Sequence, residues 1–82
     1  MRDRVRERDG SRCVRCGEGL GIKEGQVDHI IPVSRGGLHR LSNLRLLCRR
    51  CHVLRKDNSH RGMIANALKD GVIPPDWRGL VW

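Results

Sequence analysis

The chain has 82 residues, 38% of them hydrophobic, with two tryptophans, no phenylalanine and no tyrosine, and a net charge of +8. A chain this short forms one small domain whose thin core of Leu, Ile and Val needs a staple. No apolar run approaches the roughly 18 residues of a membrane span, and the charged start, Met1-Arg2-Asp3-Arg4, is unlike a secretory leader, so a soluble cytoplasmic protein is expected.

In chain order, residues 2–9 (RDRVRERD) predict a short charged helix closed by Gly10. Cys13 to Gly17 predicts a knuckle, a tight turn around a metal with Gly where the backbone bends sharply. Residues 18–25 carry three glycines and predict a loop. Gln26 to Val33 (QVDHIIPV) is β-branched and apolar and predicts a strand, ended by Pro32 and Ser34. Arg35-Gly36-Gly37 starts a loop that runs to about Ser42, and Leu44 to Leu47 predicts a second strand. A helix is expected from Arg49 to Asp57 with His52 in its first turn. A last helix is expected over Arg61 to Lys69, with Gly71 as its stop. Trp77 and Trp82 fall in a tail that Pro74-Pro75 keeps irregular. Closing a small core is the ordinary role for such tryptophans, and stacking on bases is the alternative.

The staple is written in two Cys-x-x-Cys pairs, Cys13/Cys16 and Cys48/Cys51, with 31 residues between them. Disulfides and a metal both suit four cysteines. Two knuckle-like pairs without a secretory leader favour a structural zinc held by four thiolates. The charge is uneven. Residues 28–62 hold eight basic and two acidic side chains, whereas residues 63–82 balance at two each. Arg outnumbers Lys by 14 to 3, which favours bidentate contact with phosphate oxygens. Nucleic acid is the natural partner.

Between and after the cysteines stand Asp28-His29, Asn43 and His52, which a plain zinc knot does not need. Asp28 and His29 are neighbours on a strand, so their side chains point to opposite faces. One can then hold a metal while the other reaches substrate, provided the strand twists or ends there. Asp28 and His52 form a ligand set with open positions for water and phosphate oxygens, which suits Mg2+, Mn2+ or another divalent ion. His29 is the candidate general base. Asn43, through its side-chain amide or its carbonyl, is the candidate for holding the His29 ring. Each has a plainer role as well: a turn cap for Asp28, an ordinary strand residue for His29, a turn residue for Asn43, and a substitute zinc ligand for His52. His39 and His60 have no partner in the pattern and are expected at the surface, with phosphate contact as the alternative.

The runs Asp28-His29-Ile30-Ile31-Pro32-Val33-Ser34-Arg35-Gly36-Gly37, Leu41-Ser42-Asn43-Leu44 and Leu47-Cys48-Arg49-Arg50-Cys51-His52 resemble the HNH endonuclease family. They match its zinc-stapled branch of small, phage-type proteins, over about residues 8–57. The resemblance implies a small α+β fold, a ββα-metal core stapled by the four-cysteine zinc. It makes the whole chain a single HNH nuclease domain, with residues 58–82 a helix and tail of open role. It implies a metal-dependent endonuclease or nickase that hydrolyses DNA to 5′-phosphate and 3′-hydroxyl ends. His29 would be the base, Asn43 the central Asn, and Asp28 and His52 the ligands of one catalytic divalent ion. Arg49, Arg50, Arg55 and Lys56, flanking His52, and Arg35, on the glycine loop, would contact phosphates. RNA as substrate and a non-catalytic zinc-ribbon-like binding module remain alternatives. Because small members often occur in phages, the resemblance also implies the host-cell cytoplasm as location and DNA-packaging machinery as a candidate protein partner.

Overall fold

The structure, a computed structural model, describes residues 1–56 and 61–82. It opens with helix α1 (Arg2–Arg8), whose one buried residue is Val5. Seven residues are too few for a helix to persist by itself in water. Tertiary contacts hold it: Arg6 donates to the Glu24 and Leu20 carbonyls and Arg2 to that of Gly25. Arg8 donates to the carbonyls of Leu41 and Leu44 at 2.6 and 2.5 Å. Asp9, just past the helix, accepts from the Leu46 N–H at 2.9 Å. The charged helix therefore clamps two loops and a strand.

Strands β1 (Gln26–His29) and β2 (Leu44–Leu47) pair antiparallel, with Gln26 opposite Leu47, Asp28 opposite Arg45 and His29 opposite Leu44. Strand β2 falls where the sequence predicts it, but β1 stops four residues before Val33. Side chains claim the backbone beyond His29. Asn43 Oδ1 accepts from the Ile31 N–H at 2.8 Å, and Asn43 Nδ2 donates to the carbonyls of Ile31 (3.1 Å) and Leu38 (2.9 Å). Pro32 has no N–H to give a ladder, and the chain enters a 3-10 turn over Val33–Arg35. Gly36 and Gly37 then serve different needs. Gly36 sits at φ +85, in the left-handed region, which costs a side chain dearly. At Gly37 a Cβ would lie 1.8 Å from the Ile31 carbonyl oxygen.

Helix α2 (Arg49–Val53) is shorter than expected, with Leu54 as its C-cap; Asp57, the expected end, and His60 lie outside the described residues. Helix α3 (Arg61–Lys69) matches its predicted range, and Gly71 follows it at φ +71. Among the described residues two clusters make the core. The first joins Val5, Leu20, Leu44, Leu46 and Leu47 to Cys13, Cys48 and Cys51. The second joins Val53 and Leu54 to Ala67 and Ile73. At about 2 kcal/mol for each buried aliphatic side chain, clusters this small leave room for a metal staple. Trp82 packs against both clusters. Its indole N–H donates to the Cys51 carbonyl at 2.8 Å, and its backbone exchanges hydrogen bonds with Leu54 and Lys56. The tail thus closes the second cluster and joins it to the first. The molecule is a small α+β fold of the ββα type, and no helix among the described residues is long and apolar enough to cross a membrane.

Candidate active site

The two Cys-x-x-Cys pairs converge. All four sulfurs lie within 4.8 Å of one another, and none is in a disulfide. Cys16 Sγ and Cys48 Sγ are 3.8 Å apart. A disulfide needs about 2.05 Å; thiolates about 2.3 Å from one tetrahedral zinc stand roughly 3.8 Å from each other. Local backbone builds the knuckles. Gly17, at φ +81, donates to the Cys13 carbonyl at 2.8 Å, and the Val14 N–H ties the first knuckle to the Leu46 carbonyl on β2. The Cys51 N–H donates to Cys48 Sγ at the start of α2. Burial opposes ionisation of the Cys13 thiol, but backbone N–H groups outweigh it and bring it down to about 6. Burial pushes Cys48 up to about 11, against hydrogen bonds from Cys51, and pushes Cys51 further up, where the neighbouring sulfurs add to the rise. Four sulfurs this close can all ionise only with a cation between them, so this group could hold a metal ion, and its donor set suits zinc.

The second centre lies where β1 ends against α2. Asp28, His29 and His52 line one cleft of about 160 Å³ together with Val27, Pro32, Val33 and Arg55. As strand geometry predicts, Asp28 points inward, only 4% exposed, while His29 sits half-exposed at the strand end. Because β1 stops there, both open onto the same cleft. The two oxygens of Asp28 have separate tasks. Oδ2 accepts from Arg45 Nε at 2.9 Å and Arg55 Nη1 at 2.6 Å. Oδ1 faces His52 Nε2 at 3.8 Å. Two donors that near each other fit one ion at ligand distances of about 2.1 Å. Burial holds the His52 imidazole below its ordinary pKa, against the pull of Asp28 and with Arg55 adding to the lowering. Neutral imidazole is the form that ligates a metal.

Two expectations change here. Asn43 does not touch the His29 ring: its amide binds the backbone of Ile31 and Leu38, and its carbonyl accepts from the Ile30 N–H. A short amide on the facing turn takes the backbone groups just beyond β1, so the strand stops at His29 and the amide is occupied away from the ring. Arg55, expected among the phosphate contacts, is 8% exposed and turned inward. Besides Asp28, its guanidinium donates to the His29 and Ile30 carbonyls. Arg35, Arg49, Arg50 and Lys56 stay exposed, with Arg49 paired to Asp70 at 2.8 Å.

Two neighbours escape sequence reasoning. Arg45 meets Asp28 because the register sets them opposite each other, a pairing legible only once the strands are aligned. His39, expected at the surface without a partner, is exposed but places Nδ1 3.2 Å from His29 Nε2. No spacing signal announces that contact, since the loop between them sets it.

A family model described as HNH endonuclease matches residues 13–58. The chain is also 40% identical over 68 residues to a protein of Lactococcus phage SK1 named "Probable HNH endonuclease", covering 76% of this chain and 71% of that protein. No solved structure matches.

Proposed function

This chain belongs to the HNH endonuclease family, and we propose that it is a metal-dependent DNA endonuclease or nickase. Its general base is His29, its one catalytic divalent ion sits on Asp28 and His52, and its four cysteines hold a structural zinc. The observation that carries this reading is the shared cleft, where a candidate base and two candidate ligands from separate elements face one opening.

The chain's own groups have distinct tasks in hydrolysis. The half-exposed His29 ring takes a proton from the attacking water. Arg45 and Arg55 occupy Asp28 Oδ2 and so leave Oδ1 toward His52. Arg35, Arg49, Arg50 and Lys56 offer exposed positive charge to the strand's phosphates, with bidentate geometry available to the arginines. A bound Mg2+ or Mn2+ supplies Lewis-acid stabilisation of the charge that develops on the phosphate and leaving oxygens. Asn43 contributes indirectly, by fixing the loop beyond His29. The products are 5′-phosphate and 3′-hydroxyl ends. The phage relative supports a host-cell cytoplasmic setting.

The test is nicking of supercoiled plasmid with Mg2+, Mn2+ or EDTA, using wild type and His29→Ala. Cutting should require the ion and fall by about 10²- to 10⁴-fold in the variant, while salt-sensitive DNA binding stays intact. A variant that cuts at the wild-type rate would remove His29 from the chemistry. If neither protein cuts although both bind, the non-catalytic binding module becomes the better reading.

A further inference from the structure

The contact between His29 and His39 has no place in the motif and none in the fold's own support. The two rings are not stacked: their centroids are 5.4 Å apart and their planes tilt by 44°. Their closest approach is nitrogen to nitrogen, His29 Nε2 to His39 Nδ1 at 3.2 Å, which is a hydrogen bond only if one ring donates and the other accepts. The arrangement with His39 donating would leave the proton of neutral His29 on Nδ1, so neither nitrogen could take up another while the bond lasts. The arrangement with His29 donating puts its proton on Nε2 and leaves the Nδ1 lone pair free. Only the second is compatible with a base.

We infer that His39 is a positioning residue, whose Nδ1 accepts from the Nε2–H of His29 and so fixes that ring in the orientation and tautomer that leave His29 Nδ1 free to take a proton from water. This rests on the reading of His29 as the base. It follows the general logic of a base oriented by a third group.

The backbone around His39 suits the task. The Arg40 N–H donates to the Leu38 carbonyl at 3.0 Å, and the Asn43 N–H to the Arg40 carbonyl at 2.8 Å. Asn43 Nδ2 also grips Leu38, the residue before His39, while Asn43 Oδ1 grips Ile31, two residues after His29. One amide therefore sets the separation of the two segments that carry the imidazoles. A hydrogen bond made by exposed side chains adds little to stability, but it decides which nitrogen of His29 is available.

The experiment compares His39→Leu, which has no acceptor, with His39→Asn, whose Oδ1 takes the place of Nδ1. Both are exposed substitutions, and circular dichroism checks that both fold. In the metal-dependent plasmid assay His39→Leu should lower kcat by about 10- to 100-fold, the size of effect seen when the partner that orients a metal-bound histidine is lost, with KM unchanged. His39→Asn should recover most of that loss. Long-range 15N–1H spectra of the imidazoles provide the second readout: His29 should be the Nε2–H tautomer in wild type and in His39→Asn, and a mixture in His39→Leu. Wild-type kcat in His39→Leu, equal losses in the two variants, or an Nδ1–H tautomer of His29 in wild type would each overturn the inference. The reading of His29 as base fails separately, if His29→Ala still cuts, and the spectra then decide by themselves whether His39 fixes the ring.

Discussion

Arg49 and Arg55 lie six residues apart on either side of His52, with the same side chain and opposite surroundings. Arg49 pairs with Asp70 across open solvent, the two side chains 45% and 49% exposed. Exposed pairs of this kind contribute about 0–1 kcal/mol, so Arg49→Met should leave stability nearly unchanged. Arg55 is 8% exposed and donates to Asp28, itself 4% exposed, and to two carbonyls at the end of β1. Removing one partner of a buried ion pair costs about 3–5 kcal/mol, because a charge stays buried. Arg45 remains on Asp28, so Arg55→Met should fall at the lower end, about 3 kcal/mol. For a domain of this size that lowers Tm by roughly 12–24 °C. The assay is urea denaturation of the zinc-saturated proteins followed by circular dichroism. Cleavage should weaken in Arg55→Met beyond the loss of folded protein, since Asp28 Oδ2 loses a partner and the His29 carbonyl its anchor. An Arg55→Met protein within about 0.5 kcal/mol of wild type would refute the reasoning, for surface positions behave that way.

Three other perturbations test separate parts of the structure. Removing the zinc proposed at the four cysteines with a strong chelator, or Cys48→Ser, should unfold the domain, because metal binding is coupled to folding in domains this small; retention of a cooperative melt without metal would contradict that. Burial lowers the His52 pKa in the fold, so the unfolded chain binds the proton more readily. The stability due to neutral His52 is full above its unfolded value of about 6.5 and is lost as pH falls from there toward the lower folded value. Wild type should therefore lose stability more steeply than His52→Gln between pH 7.5 and 5.5, and parallel curves would deny the shift. Gly37→Ala would place a Cβ 1.8 Å from the Ile31 carbonyl oxygen, so the loop must open. Cutting should drop by up to about 10²-fold, as when catalytic groups are misplaced by about 1 Å, and wild-type cleavage kinetics would show that the loop's closure is dispensable.

Sequence by itself determined which chemistry-bearing groups each segment offers. Four thiols in two close pairs, an Asp-His pair, and a His following the last Cys stand out as candidate ligands and a candidate base by residue type and spacing, both of which are local. It also determined β2 and α3, whose apolar patterns and stops are local too. Tertiary structure decided everything that depends on residues far apart in the chain. The length of β1 was settled by Asn43, twelve residues beyond Ile31, competing for the strand's backbone groups. That Arg55 turns in while Arg49 stays out follows from where Asp28 lies, since a buried carboxylate draws in the nearest guanidinium that can also satisfy bare carbonyls. The task of the tail rests on the Trp82 side chain reaching Cys51 and both core clusters. His39 came to His29 because an amide fixed the gap between two loop segments. Periodicity and motif spacing describe what a residue can do, but packing and hydrogen-bond competition across the chain determine which neighbour it does it with.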